Sequence, residues 1–177
     1  FKDRLIVHPF SLVEQSFIQI RPIQNLELTD SHQTVIFSSQ NAVKIALANL
    51  KIKSLVDQQP IYCVGKKTAS LLIKNGQKVV KIALNSLELA QFIIKNHQNE
   101  SFSFFCGKSR VYDLEDILSL NDIPIQPVEI YETLPQPCII KGYFDGLIFF
   151  IPSGVKGYAI HNGFEDTLVV YTPSEVN

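Results

Sequence analysis

The chain has 177 residues, of which 46% are hydrophobic and 19% charged, with a formal net charge of −1. Twelve phenylalanines and the lack of any like-charge block exclude intrinsic disorder, and no apolar run approaches the roughly 20 residues of a membrane-spanning helix. The near-neutral balance excludes a dedicated duplex-DNA binder, which carries a basic stripe, but leaves room for a small anion held by backbone amides.

In chain order, β-rich runs lie at residues 4–7, 17–20, 34–37, 60–64, 78–82, 101–105, 127–131 and 146–151. Amphipathic helical patterns fall between them at 42–50, 67–75, 86–96 and 114–120. Strands that are apolar throughout, separated by amphipathic helices, predict βαβ units and a parallel sheet covered on both faces. The fold class is α/β. Ser39 or Asn41 suits the first cap, Asn85 opens the third helix, and Asp113 precedes the fourth. Gly76 stands where a helix ends in a left-handed residue, and Pro124 stops the fourth helix.

The segment opening at Val35 (Val-Ile-Phe-Ser-Ser-Gln-Asn-Ala-Val-Lys) echoes the one opening at Leu147 (Leu-Ile-Phe-Phe-Ile-Pro-Ser-Gly-Val-Lys). Each reads as an apolar strand, a short turn and Val-Lys entering a helix. The repeat predicts two small α/β lobes with one such corner each and a cleft between them.

Strand-to-helix turns carry the candidate chemistry, since ligands of open parallel sheets bind beyond the carboxyl ends of the strands. Four turns qualify: Ser38-Ser39-Gln40-Asn41, Gly65-Lys66-Lys67-Thr68, Gly107-Lys108-Ser109-Arg110 and Pro152-Ser153-Gly154. None contains an acid, so together they favour an anionic ligand over ordinary capping. Gly107-Lys108-Ser109 resembles the end of a phosphate loop, but position 102 is Phe where that pattern needs Gly, and the same test at Gly65 finds Pro60. Nucleotide hydrolysis is rejected on that ground.

Cys63, Cys106 and Cys138 lack zinc spacing and read as reduced, mostly buried thiols of a cytoplasmic protein. His8, His32, His97 and His161 are isolated, with surface or loop placement expected, and no acidic pair marks a metal or a hydrolase. No metal and no cofactor is expected. Tyr131 ends the run Pro127-Val-Glu-Ile-Tyr, either packing at a strand end or presenting a hydroxyl as donor or weak general acid.

Four segments, in order and spacing over roughly residues 15–160, resemble the uroporphyrinogen-III synthase family. Val35-Ile-Phe-Ser-Ser-Gln-Asn-Ala-Val43 is similar to its FTSxNaV corner, and Ile61-Tyr-Cys-Val-Gly-Lys-Lys-Thr-Ala through Gly76 to its VGxxTAxxLxxxG segment. Val128-Glu-Ile-Tyr-Glu-Thr133 is similar to its YeT strand, and Asp145 through Val155 to its FtSpSxV corner. The family's first strand has no counterpart before Phe1, so the chain is expected to lack N-terminal residues. Its second Gly-x-x-Thr-Ala segment has no room, so residues are expected to be missing near Gly163–Leu168.

The resemblance implies two lobes joined by linkers at 17–23 and 127–134. One lobe comprises residues 24–126, the other 1–20 with 135–177. It implies a cyclising lyase that closes hydroxymethylbilane, a flexible tetrapyrrole with eight carboxylates, through a spiro intermediate. Water is lost and ring D inverted, giving uroporphyrinogen III. Ser38, Ser39, Asn41, Gly65, Lys66 and Thr68 would bind carboxylates from one lobe, and Pro152, Ser153 and Gly154 from the other. Tyr131 would assist departure of the hydroxyl group, and Lys108 and Arg110 would attract the polyanion without touching it. The lobes would hinge about their linkers. A cytoplasmic monomer is expected, with hydroxymethylbilane synthase as a candidate partner and neither nucleic acid nor membrane involved. The alternative is a non-catalytic two-lobed binder of a small anionic metabolite.

Overall fold

A computed structural model describes residues 11–24, 26, 34–110, 113–164 and 169–171. The run expected at 4–7, together with His8 and His32, lies outside these residues. Among the described residues the chain is mixed α/β, with a six-stranded sheet, a two-stranded sheet and six helices. It divides into two compact units, residues 20–133 and residues 1–19 with 134–177.

The larger unit is built on β2 (Thr34–Phe37), α1 (Gln40–Ala48), α2 (Leu50–Val56), β3 (Ile61–Val64), α3 (Lys66–Lys74) and β4 (Val79–Ala83). It continues through α4 (Ser86–Asn96), β5 (Phe102–Gly107), α5 (Asp113–Ser119) and β6 (Ile125–Pro135), and β1 (Ile18–Pro22) edges the sheet. Strand order is β1-β6-β5-β2-β3-β4. β2 pairs in parallel with β3 and β5, β3 with β4, and β5 with β6. β1 runs antiparallel to β6. Ile23 N–H donates to Ile130 O, Gln136 N–H donates to Phe17 O, and residue numbers rise on one strand as they fall on the other.

The central strands are buried at every position, β2 as Thr-Val-Ile-Phe and β5 as Phe-Ser-Phe-Phe-Cys-Gly. Both faces are covered, so apolar side chains are needed on both. On one face Val35, Phe37, Ile61, Cys63 and Phe105 pack with Ala42, Val43 and Ala46 of α1, Ile52 and Val56 of α2, and Ala69 and Leu72 of α3. On the other, Ile36, Tyr62, Phe102 and Phe104 pack with Leu89, Ala90 and Ile93 of α4 and Leu114 and Leu118 of α5. Each fully buried Val, Ile, Leu or Phe contributes about 1.5–3 kcal/mol relative to exposure.

Local chemistry sets the boundaries. The helix expected at 42–50 ends at Ala48 and a second, unpredicted one follows, because Asn49 ends α1 and its side chain accepts from the N–H groups of Lys51 and Ile52, opening α2. Gly76 has φ +78° just past α3 and Asn85 caps α4 through Glu88 N–H, both as the sequence predicts. Asp113 sits in the first turn of α5 rather than before it. His97 is not isolated. It ends α4 half-buried, its Nε2 3.2 Å from Tyr62 Oη and its Nδ1 2.7 Å from Glu100 Oε1.

In the smaller unit, β7 (Gly146–Ile148), α6 (Pro152–Ala159) and β8 (Val169–Tyr171) form a βαβ unit with parallel strands. Both echoed segments thus form strand–turn–helix corners. The strand expected at 146–151 stops at Ile148, because Phe149 turns into an aromatic cluster with Phe17 and Tyr158. Gly157 lets α6 lie on the Phe17 backbone: a Cβ there would stand 2.1 Å from the Phe17 carbonyl oxygen. Asn162 stitches the unit, donating to Cys138 O and Tyr158 O and accepting from Ile140 N–H.

Glu88 offers a stability test. Its carboxylate accepts from Leu84 N–H at 2.8 Å and pairs with Lys81, and these contacts hold its pKa below the ordinary 4.5. Its contribution is therefore complete above pH 4.5 and lost as pH falls through the depressed value. Urea titrations across pH should show Glu88→Gln less stable than the parent near neutrality, with the two curves converging in acid.

Candidate functional site

The winding of the larger unit reverses once. From β2 the chain moves outward through β3 to β4, then returns to β5 on the other flank of β2 and continues to β6. The turns leaving the carboxyl ends of β2 and β5 diverge, and such a reversal point is where open parallel sheets bind ligands.

Three residues meet there. Ser39, in extended backbone at φ −140°, caps α1 by accepting from Asn41 N–H at 3.1 Å. The Tyr131 hydroxyl donates to the same Ser39 Oγ, also at 3.1 Å. Gly107, the last residue of β5, lies beneath the tyrosine ring, and a Cβ at this position would meet Tyr131 ring carbons at 2.7 and 2.8 Å. Tyr131 stays half-buried, so its hydroxyl is fixed but not sealed away.

A bulge places the ring. Cys106 faces Glu129 but Gly107 faces Tyr131, so β6 carries one extra residue, Ile130, between them. Regular alternation would send Ile130 and Tyr131 to opposite faces. Instead Ile130 is buried in the cluster beneath α1–α3 and Tyr131 packs against that same cluster, so the bulge re-aims the tyrosine. Lys108 N–H then donates to Tyr131 O at 2.8 Å and resumes the ladder.

The neighbouring corner leaves β3. Gly65 adopts φ +87° and precedes α3 with no side-chain cap, so the first N–H groups of that helix are not met by a capping oxygen. Thr68 is buried one turn in and Lys66 is exposed. Gln40, Lys66, Lys67, Ser70, Leu71 and Lys74 line an open groove of about 360 Å³ beside it. No lining residue is acidic, and among the described residues none of the three lysines is in an ion pair.

Of the other candidates, Ser38 is exposed and Asn41 half-buried at the start of α1. In the smaller unit Pro152 opens α6, Ser153 and Gly154 follow in its first turn, and this helix too has no side-chain cap. Arg110 corrects its expected role. It is not a loose attractor of anions: its Nε donates to Glu115 Oε1 at 2.6 Å and its Nη1 to Glu129 Oε1 at 2.7 Å, with 11% of the side chain exposed. Burial alone would lower its pKa, but the hydrogen bonds to Glu129 and Glu115 outweigh burial and hold the guanidinium charged. Lys108 is exposed.

Sequence reasoning missed Gly107 as the floor of the tyrosine, having met it as part of a candidate anion-binding turn and of a false phosphate loop. No spacing rule announces a bulge on the neighbouring strand. The two buried thiols of this unit offer no nucleophile: burial pushes Cys63 up to about 11 and Cys106 up to about 12.

The family model described as uroporphyrinogen-III synthase HemD matches residues 2–165. Uroporphyrinogen-III synthetase from Helicobacter pylori shares the fold, with a TM-score of 0.71 at 22% identity over 88% of this chain and 75% of that one. A selenomethionine derivative of a mutant uroporphyrinogen III synthase from the extremely thermophilic bacterium Thermus thermophilus gives a TM-score of 0.59 at 13% identity, covering 88% and 73%.

A methyl group at Gly107 cannot coexist with the tyrosine ring. Gly107→Ala should lower unfolding stability by about 1–3 kcal/mol in urea, the usual cost of overpacking. Combining it with Tyr131→Ala, which removes the ring, should recover most of that loss; no recovery would mean the clash lies elsewhere.

Proposed function

The chain belongs to the uroporphyrinogen-III synthase family of cyclising, lyase-type enzymes in haem biosynthesis, and we propose that the Tyr131–Ser39–Gly107 corner is where it acts on hydroxymethylbilane. The observation that carries this reading is the Tyr131 hydroxyl, held by Ser39 at the reversal point of the sheet.

The substrate's difficulty is conformational. Left alone, the reactive chain closes without inverting ring D. To yield isomer III the hydroxymethyl end must meet the substituted carbon of ring D, forming a spiro intermediate. An enzyme lowers that barrier chiefly by holding the chain in the near-attack shape. Eight carboxylates provide the handles. Ser38, Ser39 and Asn41, with the N–H groups of Lys66 and Thr68, offer donors at two adjacent corners of one sheet, while Gly65, its own N–H donated to Ala83 O, sets the turn that exposes them. The groove of Lys66, Lys67 and Lys74 adds positive charge beside them. In the smaller unit Pro152 and Gly154 shape the first turn of α6, the Gly154 N–H being donated to Ile151 O, and Ser153 offers the carboxylate donor.

Tyr131 supplies the one directed proton. Its O–H donates to the departing hydroxyl, which leaves as water. The phenolate is reprotonated by the proton released when the macrocycle becomes aromatic at each pyrrole. Because Ser39 Oγ already accepts from Asn41 N–H, it can let go of the tyrosine proton without losing its place as the cap.

The decisive assay supplies freshly generated hydroxymethylbilane, oxidises the product and separates the isomers. Isomer III is expected; isomer I alone would reject catalysis in favour of an anion-binding module. Tyr131→Phe should lower kcat by up to about 100-fold, the lower end of what a positioned general acid contributes, with KM little changed. Lys67→Gln and Lys74→Gln should each raise KM about threefold at low salt, as expected for a screened surface charge, and leave kcat alone. Loss of that difference in high salt would be the sign of a long-range charge effect.

A further inference from the structure

We propose that Arg110 is a positioning residue for Tyr131, clamping the bulge that aims the tyrosine. The proposal rests on Tyr131 acting in hydroxyl departure and adds what holds it there.

The bulge needs such a clamp. Where β6 carries its extra residue, the ladder with β5 is interrupted, and an interrupted ladder leaves the side chains beyond it less constrained. Arg110 grips both sides of the interruption. Its Nη1 donates to Gly107 O at 3.2 Å, beyond the bulge, and to Glu129 Oε1 at 2.7 Å, before it. Its Nε donates to Glu115 Oε1 at 2.6 Å, tying the pair to the first turns of α5. Gly107 is the floor of the Tyr131 ring, so a shift of Gly107 is a shift of the phenol.

The chemistry asks for arginine. Three acceptors on β5, β6 and α5 are met by one planar fork; a lysine ammonium on its flexible stem has no such fixed geometry. The side chains of Arg110 and Glu115 are 11% and 10% exposed, so removing the cation strands a carboxylate in a dry place, which pushes the turn to open. Glu115 Oε2 is buried with no hydrogen-bond partner, so Glu115 depends on Arg110 rather than on other donors. None of the three charged groups touches the tyrosine hydroxyl among the contacts described, so the effect is on position.

The test uses the full chain with ring-labelled tyrosine, and Tyr131 is assigned by its disappearance in Tyr131→Phe. In Arg110→Gln the Tyr131 ring resonances should shift or broaden while those of Tyr62 and Tyr158 stay in place. An unmoved Tyr131 signal overturns the proposal, whether or not the chain turns over substrate. Should Arg110→Gln fold poorly, Glu129→Gln, which keeps an oxygen for the guanidinium, should give a smaller displacement of the same signal.

Turnover gives the second reading. Per folded molecule, Arg110→Gln should lower kcat for isomer III about 10- to 100-fold, as a misplaced catalytic group does, but have no further effect in a Tyr131→Phe background. An equal loss in both backgrounds overturns positioning through Tyr131. Unchanged turnover in Tyr131→Phe alone would instead sink the proton-donor role, and Arg110's with it.

Discussion

Tyr131 lies so close over Gly107 that only a hydrogen fits beneath it, and this one contact ties the sheet to the proposed site. Everything upstream of it is ordinary packing. Two central strands buried at every residue make the sheet rigid, and the reversal of winding between β2 and β5 opens a place at their ends. What turns that place into a site is a side chain arriving from a third strand, β6, with its hydroxyl on the cap of the first helix. A phenol carried by β6, packed over β5 and hydrogen-bonded to the cap of α1 has little entropy left to lose when substrate binds, which is the condition for using it in a transition state.

Charge in the larger unit is sorted. The acids nearest the reversal point, Glu115 and Glu129, are consumed by Arg110, while the groove beside α3 carries lysines and no acid. For a guest with eight carboxylates the sorting matters more than the net charge of −1. A free carboxylate in that groove would repel it, and a free arginine could pair with one of its carboxylates and fix the chain in a single wrong pose. In the proposed site, backbone amides and lysines, short-ranged or loosely held, would let several carboxylates settle together.

How much of this was legible follows from what each feature depends on. β2 and β5 were plain in the sequence because a strand buried on both faces must be apolar throughout, and Gly76 and Asn85 were plain because their roles depend on one or two neighbours. α2 was missed, although Asn49, a strong capping residue just before it, was the available signal. β8 was missed, being three residues long with no alternation to read. His97 looked isolated because Tyr62 meets it only once β3 and α4 have packed, although Glu100, three residues on, was the local signal. Arg110 was misjudged for a similar reason: Glu129 reaches it only through pairing of β5 with β6. Motifs built on local geometry announce themselves, and those closed by register do not.

The bulge at Ile130 is the sharpest case, and it bears on how this fold carries function. Had β6 kept its alternation, Tyr131 would face away from the cluster that Ile130 occupies, and its hydroxyl could not reach Ser39. One unpaired residue, costing a ladder bond, exchanges regular pairing for an aimed phenol. The ladder resumes past it at Lys108, and the guanidinium of Arg110, bonded on either side, is placed to hold the two strands across it. Irregularity, buried cation and tyrosine therefore form one device. The ion pairs with Glu115 and Glu129 offset the burial of the guanidinium, and the glycine, otherwise a weak point in a fully buried strand, leaves the space the ring occupies.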